Sequence, residues 1–347
     1  MNQDILLTVD YHDRNCVIRR LAAKSGDERV LTVATTPEHL AQVVAEARAL
    51  AGRRGQITWI QESTTGWPRV QALLGERVRF LLANVVQMPV PPKARRRKTD
   101  KVDTARLQRE QLAGTLPLAH QPPLAWRQLR RLVTLRENLV SRRTALRNWI
   151  NRYLAHETWE ERSGLWSVKG QAWLRQWLTT LPDLDRLVLT AKLDELERLE
   201  SPLRTVERQM QQVHRTCPDA QRLDVVRGID VVAAVSIVAR IGPIERFRDA
   251  EQLIAFAGLA PGVQQSDQTR RDGRIGGGGT DKHLRHYLIE ASVWAREIPR
   301  YQATYERVAQ RRGKKIGRIV VARMMLRSIY KVLKDGVAFA PAAASGS

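Results

Sequence analysis

Residues 93–107 read KARRRKTDKVDTARL: five basic side chains (Lys93, Arg95, Arg96, Arg97, Lys98) run into Asp100, and Asp103 follows three positions later. Carboxylates at i and i+3 share one face of a helix. They repel unless a cation or a proton lies between them, and a divalent metal is the usual cation. The basic residues in front point to a polyanion. A solvated charged linker feeding a helix whose N-terminus favours Asp gives the same pattern, so the flanking sequence decides between the two.

Upstream, Ile5–Val9 is an apolar run that stops at Asp10. Residues 16–22 and 29–34 are rich in strand formers and separated by the turn Lys24-Ser-Gly-Asp27, which predicts three strands in a meander. Residues 37–51 carry Leu40, Val43, Val44, Ala47 and Leu50 at helical spacing, with Pro37 near the start, where proline is tolerated. QITWIQ (56–61) is the next strand and ends at Glu62; residues 66–74 read as a short helix and 78–82 as a further strand. The order is βββαβαβ and then the helix that opens at Asp100. Acids stand near the end of the first strand and at the end of the strand after the first helix. Asp13 and Glu38 are further acids in the same region.

The 347 residues carry 58 Lys and Arg against 36 Asp and Glu, a net charge of +22 spread along most of the chain. This predicts a nucleic-acid partner. No run of about 18 apolar residues occurs, which predicts no membrane span, and the polar, acidic start does not read as a signal peptide. Cys16 and Cys217 form neither a disulfide framework nor a zinc spacing, as expected of a cytoplasmic protein.

Residues 125–215 hold few glycines. Leu129, Leu132, Leu135, Leu139, Ala145 and Ile150 trace one helix face; Leu187, Leu193, Leu196, Leu199, Leu203, Val206 and Met210 trace a second. An antiparallel helical hairpin or coiled coil is expected. Arginines 127, 130, 131, 136, 142, 143, 147 and 152 suit a nucleic-acid backbone, a solvated face or a dimer contact, while Trp166, Trp173 and Trp177 read as core anchors. Farther on, Val225–Asp230, an apolar helix at 231–241, Gly242–Phe247 and a helix containing Leu253–Phe256 form a helix-hairpin-helix-like segment, a device that holds DNA backbone through main-chain amides. Ser266 follows in a polar loop with Arg270 and Arg271, then Gly276–Gly279, Lys282, Arg285 and a helix around 284–295. A glycine-rich loop with nearby cations can approach phosphate closely, although the spacing is not that of a Walker loop. A serine can attack a phosphodiester if its hydroxyl is activated and the charge on phosphorus is stabilised; a loop serine is ordinarily a turn residue. His283 and His286 lack the companions of a metal site. Lys314 and Lys315 open a last amphipathic helix, 316–333, bearing Arg318, Arg323 and Arg327.

Asp10, Glu62 with Ser-Thr-Thr-Gly66, the Lys98–Asp103 block and Phe256-Ala-Gly-Leu-Ala-Pro261 with Ser266, the glycines and Leu284–Ala291 together resemble the DEDD transposases of the insertion-sequence "one-ten" family, the bridge-RNA-guided recombinases. The resemblance spans residues 5–340 or so. It implies an α/β, RNase H-like (RuvC-like) N-terminal domain (1–122), a helical coiled-coil and dimerisation segment (123–216) and a mostly helical C-terminal transposase domain with the serine loop (217–341); the AAASGS tail (342–347) reads as disordered from its composition. The resemblance implies that Asp10, Glu62, Asp100 and Asp103 hold Mg²⁺, as two ions, and that Ser266 is the nucleophile of strand exchange. The implied partners are double-stranded donor and target DNA, a structured noncoding bridge RNA, and further copies of the chain as a homodimer or a synaptic tetramer. Base pairing would read sequence while the protein reads backbone and shape. The basic residues 93, 95–98, 270, 271, 282, 285, 314 and 315 would contact nucleic acid. Two positions depart from the family pattern: Asp267 follows the serine where glycine is common, and Asp13 stands where lysine is common. A metal-dependent Holliday-junction endonuclease using water, and a non-enzymatic nucleic-acid-binding protein, are the other functions the sequence allows.

Overall fold

In a computed structural model, the described residues are 3–63, 66–88, 100–158, 164–260, 263–266, 269–272, 275–277 and 279–339, excepting the side chains of 100, 101, 263–266 and 269–272. The basic tract 93–98, the tail 342–347 and Asp267 lie outside them. The chain divides into two compact units, residues 1–121 and 122–347.

The first unit is a mixed five-stranded sheet with helices on both faces. Strands β1 (Ile5–Tyr11), β2 (Asn15–Ala22) and β3 (Glu28–Ala34) form the meander; α1 (Pro37–Ala51), β4 (Ile57–Glu62), α2 (Trp67–Leu74), β5 (Arg79–Ala83) and α3 (Asp100–Leu112) follow. Sheet order is β3-β2-β1-β4-β5, with β4 parallel to both β1 and β5. Side chains alternate faces along a strand. On one face Ile5, Leu7 and Val9 of β1 and Ile57 and Trp59 of β4 pack with Leu40, Val43, Val44 and Ala47 of α1. On the other, Leu6 and Ile60 pack with Leu81, Ala83, Met88 and Leu107 of α3. Thr36 caps α1 by accepting from the His39 amide, so the helix starts where Pro37 fixes its first turn. The mixed sheet with its crossover helices is consistent with an RNase H-like unit.

Among the described residues the second unit is helical apart from one hairpin. Two 34-residue helices, α4 (Leu124–Glu157) and α6 (Asp183–Thr216), pack together with α5 (Val168–Leu178) beside α6. The buried stripe of α4 is Val133, Leu139, Leu146, Ile150 and Leu154; Leu135 is 48% exposed and Ala145 is exposed, so the seam runs one position away from the expected one there. Leu187, expected on the α6 seam, is 65% exposed. Then come α7 (Pro218–Asp224), α8 (Val231–Ile241), α9 (Ala250–Phe256), strands β6 (Val263–Ser266) and β7 (Thr269–Asp272), α10 (Lys282–Ala295), α11 (Pro299–Arg312) and α12 (Lys314–Asp335). Residues of the long helices and of the C-terminal region share one core, centred on the apolar α8 and on Leu284, Leu288, Tyr301, Met325 and Ile329. Ser266, read from sequence as a loop residue, ends β6 and pairs with Thr269 in the antiparallel hairpin.

Candidate active site

Asp10 is the penultimate residue of β1 and Glu62 the last of β4. The parallel register pairs Ile5 with Ile57 through Val9 with Gln61. Carried one step further it sets Asp10 beside Glu62, on the face that also carries Leu6, Thr8 and Ile60. Parallel neighbours stand about 4.8 Å apart, so the two acidic residues are neighbours on one face at the end of the sheet. Asp10 is only 8% exposed. His12 Nε2 lies 3.4 Å from Asp10 Oδ2. The helix over this face is α3, held by buried Thr104 and Leu107. Asp103, half-buried, is one turn before Leu107 on the same side of the helix; Asp100 is the first residue of α3.

Behind the acids, the Tyr11 ring packs where Gly66 leaves room: a Cβ there would lie 2.6 Å from the ring. Arg69 of α2 hydrogen-bonds the Tyr11 hydroxyl through Nε at 2.7 Å and reaches Asp13 at 3.0 Å. The Tyr11 contact, then the Asp13 charge, raises the Arg69 pKa. The acid that departs from the family pattern is thus matched by a cation. Burial pushes the Cys16 thiol up, against its hydrogen bond to Thr35.

The donor set is one of hard oxygens, which suits Mg²⁺ or a similar divalent ion. A nearly buried carboxylate beside a second carboxylate also calls for a cation. Asp10 and Glu62 are on the sheet face that α3 covers, and Asp103 is on α3. Among the described residues no three His, Cys, Asp or Glu side chains close into one metal-binding group; the Asp100 side chain lies outside that set.

In the second unit, residues 256–260 and 275–277 with 279–281, which flank the hairpin in sequence, come together as a neck. Gly258 (φ +67°) and Gly276 (φ +84°) stand on its two sides, and the Arg285 guanidinium lies against both: a Cβ on either would come within 2.5 Å of Nη1. Phe256 O accepts from the Asp281 amide at 2.8 Å and closes the neck. Asp281 caps α10 by accepting from the amides of His283 and Leu284. Beneath, Glu137 of α4 pairs with Arg240 and, at 3.2 Å, with His283 Nδ1. His283 is therefore a partner of a buried carboxylate rather than a surface contact. Arg246 stacks on Phe247 and Phe256, its Cζ 4.3 and 4.4 Å from the ring centroids.

Arg240 and Arg246 are not singled out in the sequence, and Arg130 reads there only as one of the α4 arginines, because nothing local marks an arginine as buried. The α4 arginines are largely committed within the unit. Arg130 donates to the carbonyls of Ala239 and Arg240, Arg136 pairs with Glu207, and Arg142, Arg143 and Arg147 face Glu195 and Glu200 of α6. Lys282, Lys314 and Lys315 are exposed. Arg270 and Arg271 are in β7, their side chains undescribed.

Residues 9–157 match a DEDD transposase family model, described as transposase, and residues 220–306 match the transposase IS116/IS110/IS902 family. The chain belongs to the IS110 family of DEDD transposases. A relative described as "Probable family 20 transposase", from Pseudomonas aeruginosa, is 26% identical over 294 residues, covering 79% of this chain and 82% of that protein. The transposase is an enzyme of DNA strand transfer. The first match takes in β1, β4 and α3; the second takes in α8, the neck and the hairpin. A DEDD family implies a divalent metal ion, and a transposase binds DNA. No helix among the described residues of this transposase is long and apolar enough to cross a membrane.

Proposed function

We propose that the chain mobilises an insertion sequence by site-specific recombination through a phosphoserine intermediate, with a noncoding bridge RNA selecting donor and target DNA. The observation that carries this reading is the parallel register that sets Asp10 beside Glu62 at the ends of adjacent strands, on the face covered by the helix that bears Asp100 and Asp103. These four acids would hold the metal, as two Mg²⁺ ions. When bound, such ions offset charge on the transferring phosphate.

Ser266 Oγ would attack the phosphorus; one sugar oxygen leaves as a hydroxyl after gaining a proton, and the phosphodiester energy is kept in the serine ester. A hydroxyl of the partner strand then attacks the same phosphorus and releases the serine, so rejoining needs no ATP. Support comes from the position of Ser266 as the last residue of β6, opposite Thr269 of β7. The domain division 1–122, 123–216 and 217–341, with the long helices making dimer and RNA contacts and two dimers joining in a tetramer, belongs to the same reading, as do backbone contacts by the basic residues and a cytoplasmic, nucleoid-associated location.

The test is recombination of donor and target duplexes in the presence of the element's transcript. Ser266→Ala abolishes covalent protein–DNA adducts and strand exchange; Asp103→Asn and EDTA abolish both while DNA binding persists. Full exchange by Ser266→Ala overturns the serine role, and full activity in EDTA overturns the metal role. Cleavage of four-way junctions without an adduct would indicate attack by water instead. RNA co-purifying with the chain and pairing with both DNA ends is the expected sign of guidance.

A further inference from the structure

Arg246 is an odd residue to bury. Its guanidinium is wedged against Phe247 and Phe256, and its Nε and Nη2 atoms are covered yet have no hydrogen-bond partner among the described residues. These are the two nitrogens on one edge of the guanidinium fork, the pair that a phosphate or carboxylate takes in a bidentate contact. Arg285 Nη1, pressed between Gly258 and Gly276, is likewise buried and without a partner.

Among the described side chains the local charge does not balance: around the neck four guanidinium groups, Arg130, Arg240, Arg246 and Arg285, stand with two carboxylates, Glu137 and Asp281. Glu137 is taken by Arg240 and His283. Asp281 caps α10, with Arg240 at 3.9 Å. Burial, then repulsion by Arg130, lowers the Arg246 pKa to about 10 against the attraction of Asp281. A cation so placed costs stability unless an anion joins it.

We propose that the neck of the hairpin is a phosphodiester seat, in which Arg246 grips two phosphate oxygens through Nε and Nη2 and Arg285 reaches a third contact through Nη1. The rings of Phe247 and Phe256 flank the fork, so little side-chain freedom is lost on binding. The seat's nitrogens are covered in the free chain, and occupation requires the neck to open; its positive-φ glycines, Gly258, Gly276 and Gly279, lie where the chain turns. Assigning the bound phosphate to the DNA strand that Ser266 attacks rests on the serine reading above; the seat itself does not.

The experiment uses the full chain. Melting temperature is measured in inorganic phosphate and in chloride at equal ionic strength, and duplex-oligonucleotide binding by fluorescence anisotropy. Phosphate should raise the melting temperature of the wild type beyond chloride, and of Ser266→Ala equally. Arg246→Met should melt in chloride at or above the wild-type temperature, because an uncompensated buried charge has gone. It should lose the phosphate effect and bind the duplex about tenfold more weakly. Arg246→Lys, which keeps the charge but not the fork, should bind as poorly as Arg246→Met. A fall in the melting temperature of Arg246→Met with DNA binding and the phosphate effect intact makes Arg246 a packing residue and overturns the seat. Wild-type binding by Arg246→Lys overturns the bidentate grip. A Ser266→Ala variant that still exchanges strands overturns the serine reading alone, leaving the seat to the phosphate measurement.

Discussion

Gly258 shows why two motifs far apart in the sequence occur together. The turn after α9 needs positive φ, and the space where a Cβ would sit is filled by Arg285 and by Thr280, whose Oγ1 would be 2.8 Å away. Gly258→Ala should therefore cost about 1–3 kcal/mol and loosen the neck, read as a lower denaturant midpoint and slower strand transfer; an unchanged midpoint would mean that the neck gives way easily. Glu137 makes the opposite case, a charge that has its partners. Glu137→Ala strands the Arg240 guanidinium and should cost about 3 kcal/mol, and a loss below about 1 kcal/mol in a urea melt would show that water reaches it. The two cysteines should differ in reactivity. Cys16 is fully buried and its pKa is raised, whereas Cys217 is half-buried. Iodoacetamide should label Cys217 first, with Cys16 labelled only on unfolding, as read by mass spectrometry. Because the neutral thiol is favoured in the fold, the Cys16 contribution to stability is fully present below the ordinary thiol pKa of about 9 and is lost as pH rises through the raised value.

At the scale of elements, α3 is the piece on which the acid site depends. Leu107 is 1% exposed and pins α3 to Ile60 and Leu81. Leu107→Ala should cost about 2–4 kcal/mol and lower strand transfer more than DNA binding, since Asp100 and Asp103 ride on this helix; equal loss of both would point to general unfolding. The strands and helices of the first unit were legible because each keeps one period. The apolar alternation of Ile5, Leu7 and Val9 ends at an acid, and that of Trp59 ends at Glu62. The second unit was less so. Helix α11 was missed because, among its residues, only Tyr301 is buried, leaving little apolar pattern to read. The α4 arginines read as a free basic face because their partners, Glu195, Glu200 and Glu207, lie more than fifty residues away. Arg246 gave no signal, since one of its two aromatic neighbours, Phe256, is brought to it only by the turn into α9.

For the whole molecule, charge dominates the expected solution behaviour. With +22 net, binding to duplex DNA of arbitrary sequence should weaken steeply with salt, by about a thousandfold or more between 50 and 200 mM if six or more phosphates are neutralised. Titrations by anisotropy at four salt concentrations give the slope, and a flat line would remove the electrostatic footprint. Each unit has its own core, so residues 1–121 alone should unfold cooperatively in urea, with dispersed amide signals.

The two hydrogen bonds from Arg130 to the carbonyls of Ala239 and Arg240 bear on the order of folding. Those carbonyls belong to the last turn of α8, where backbone acceptors lack helical partners. Their donor comes from α4, 109 and 110 residues earlier in the chain. Closing so long a loop is entropically slow. The end of α8 is therefore secured late, after the chain has travelled out along α4 and back along α6. A fragment beginning at residue 217 would lack the donor and the Glu137 charge together. The segment that bears the serine hairpin thus inherits its rate of assembly from the long helices that precede it.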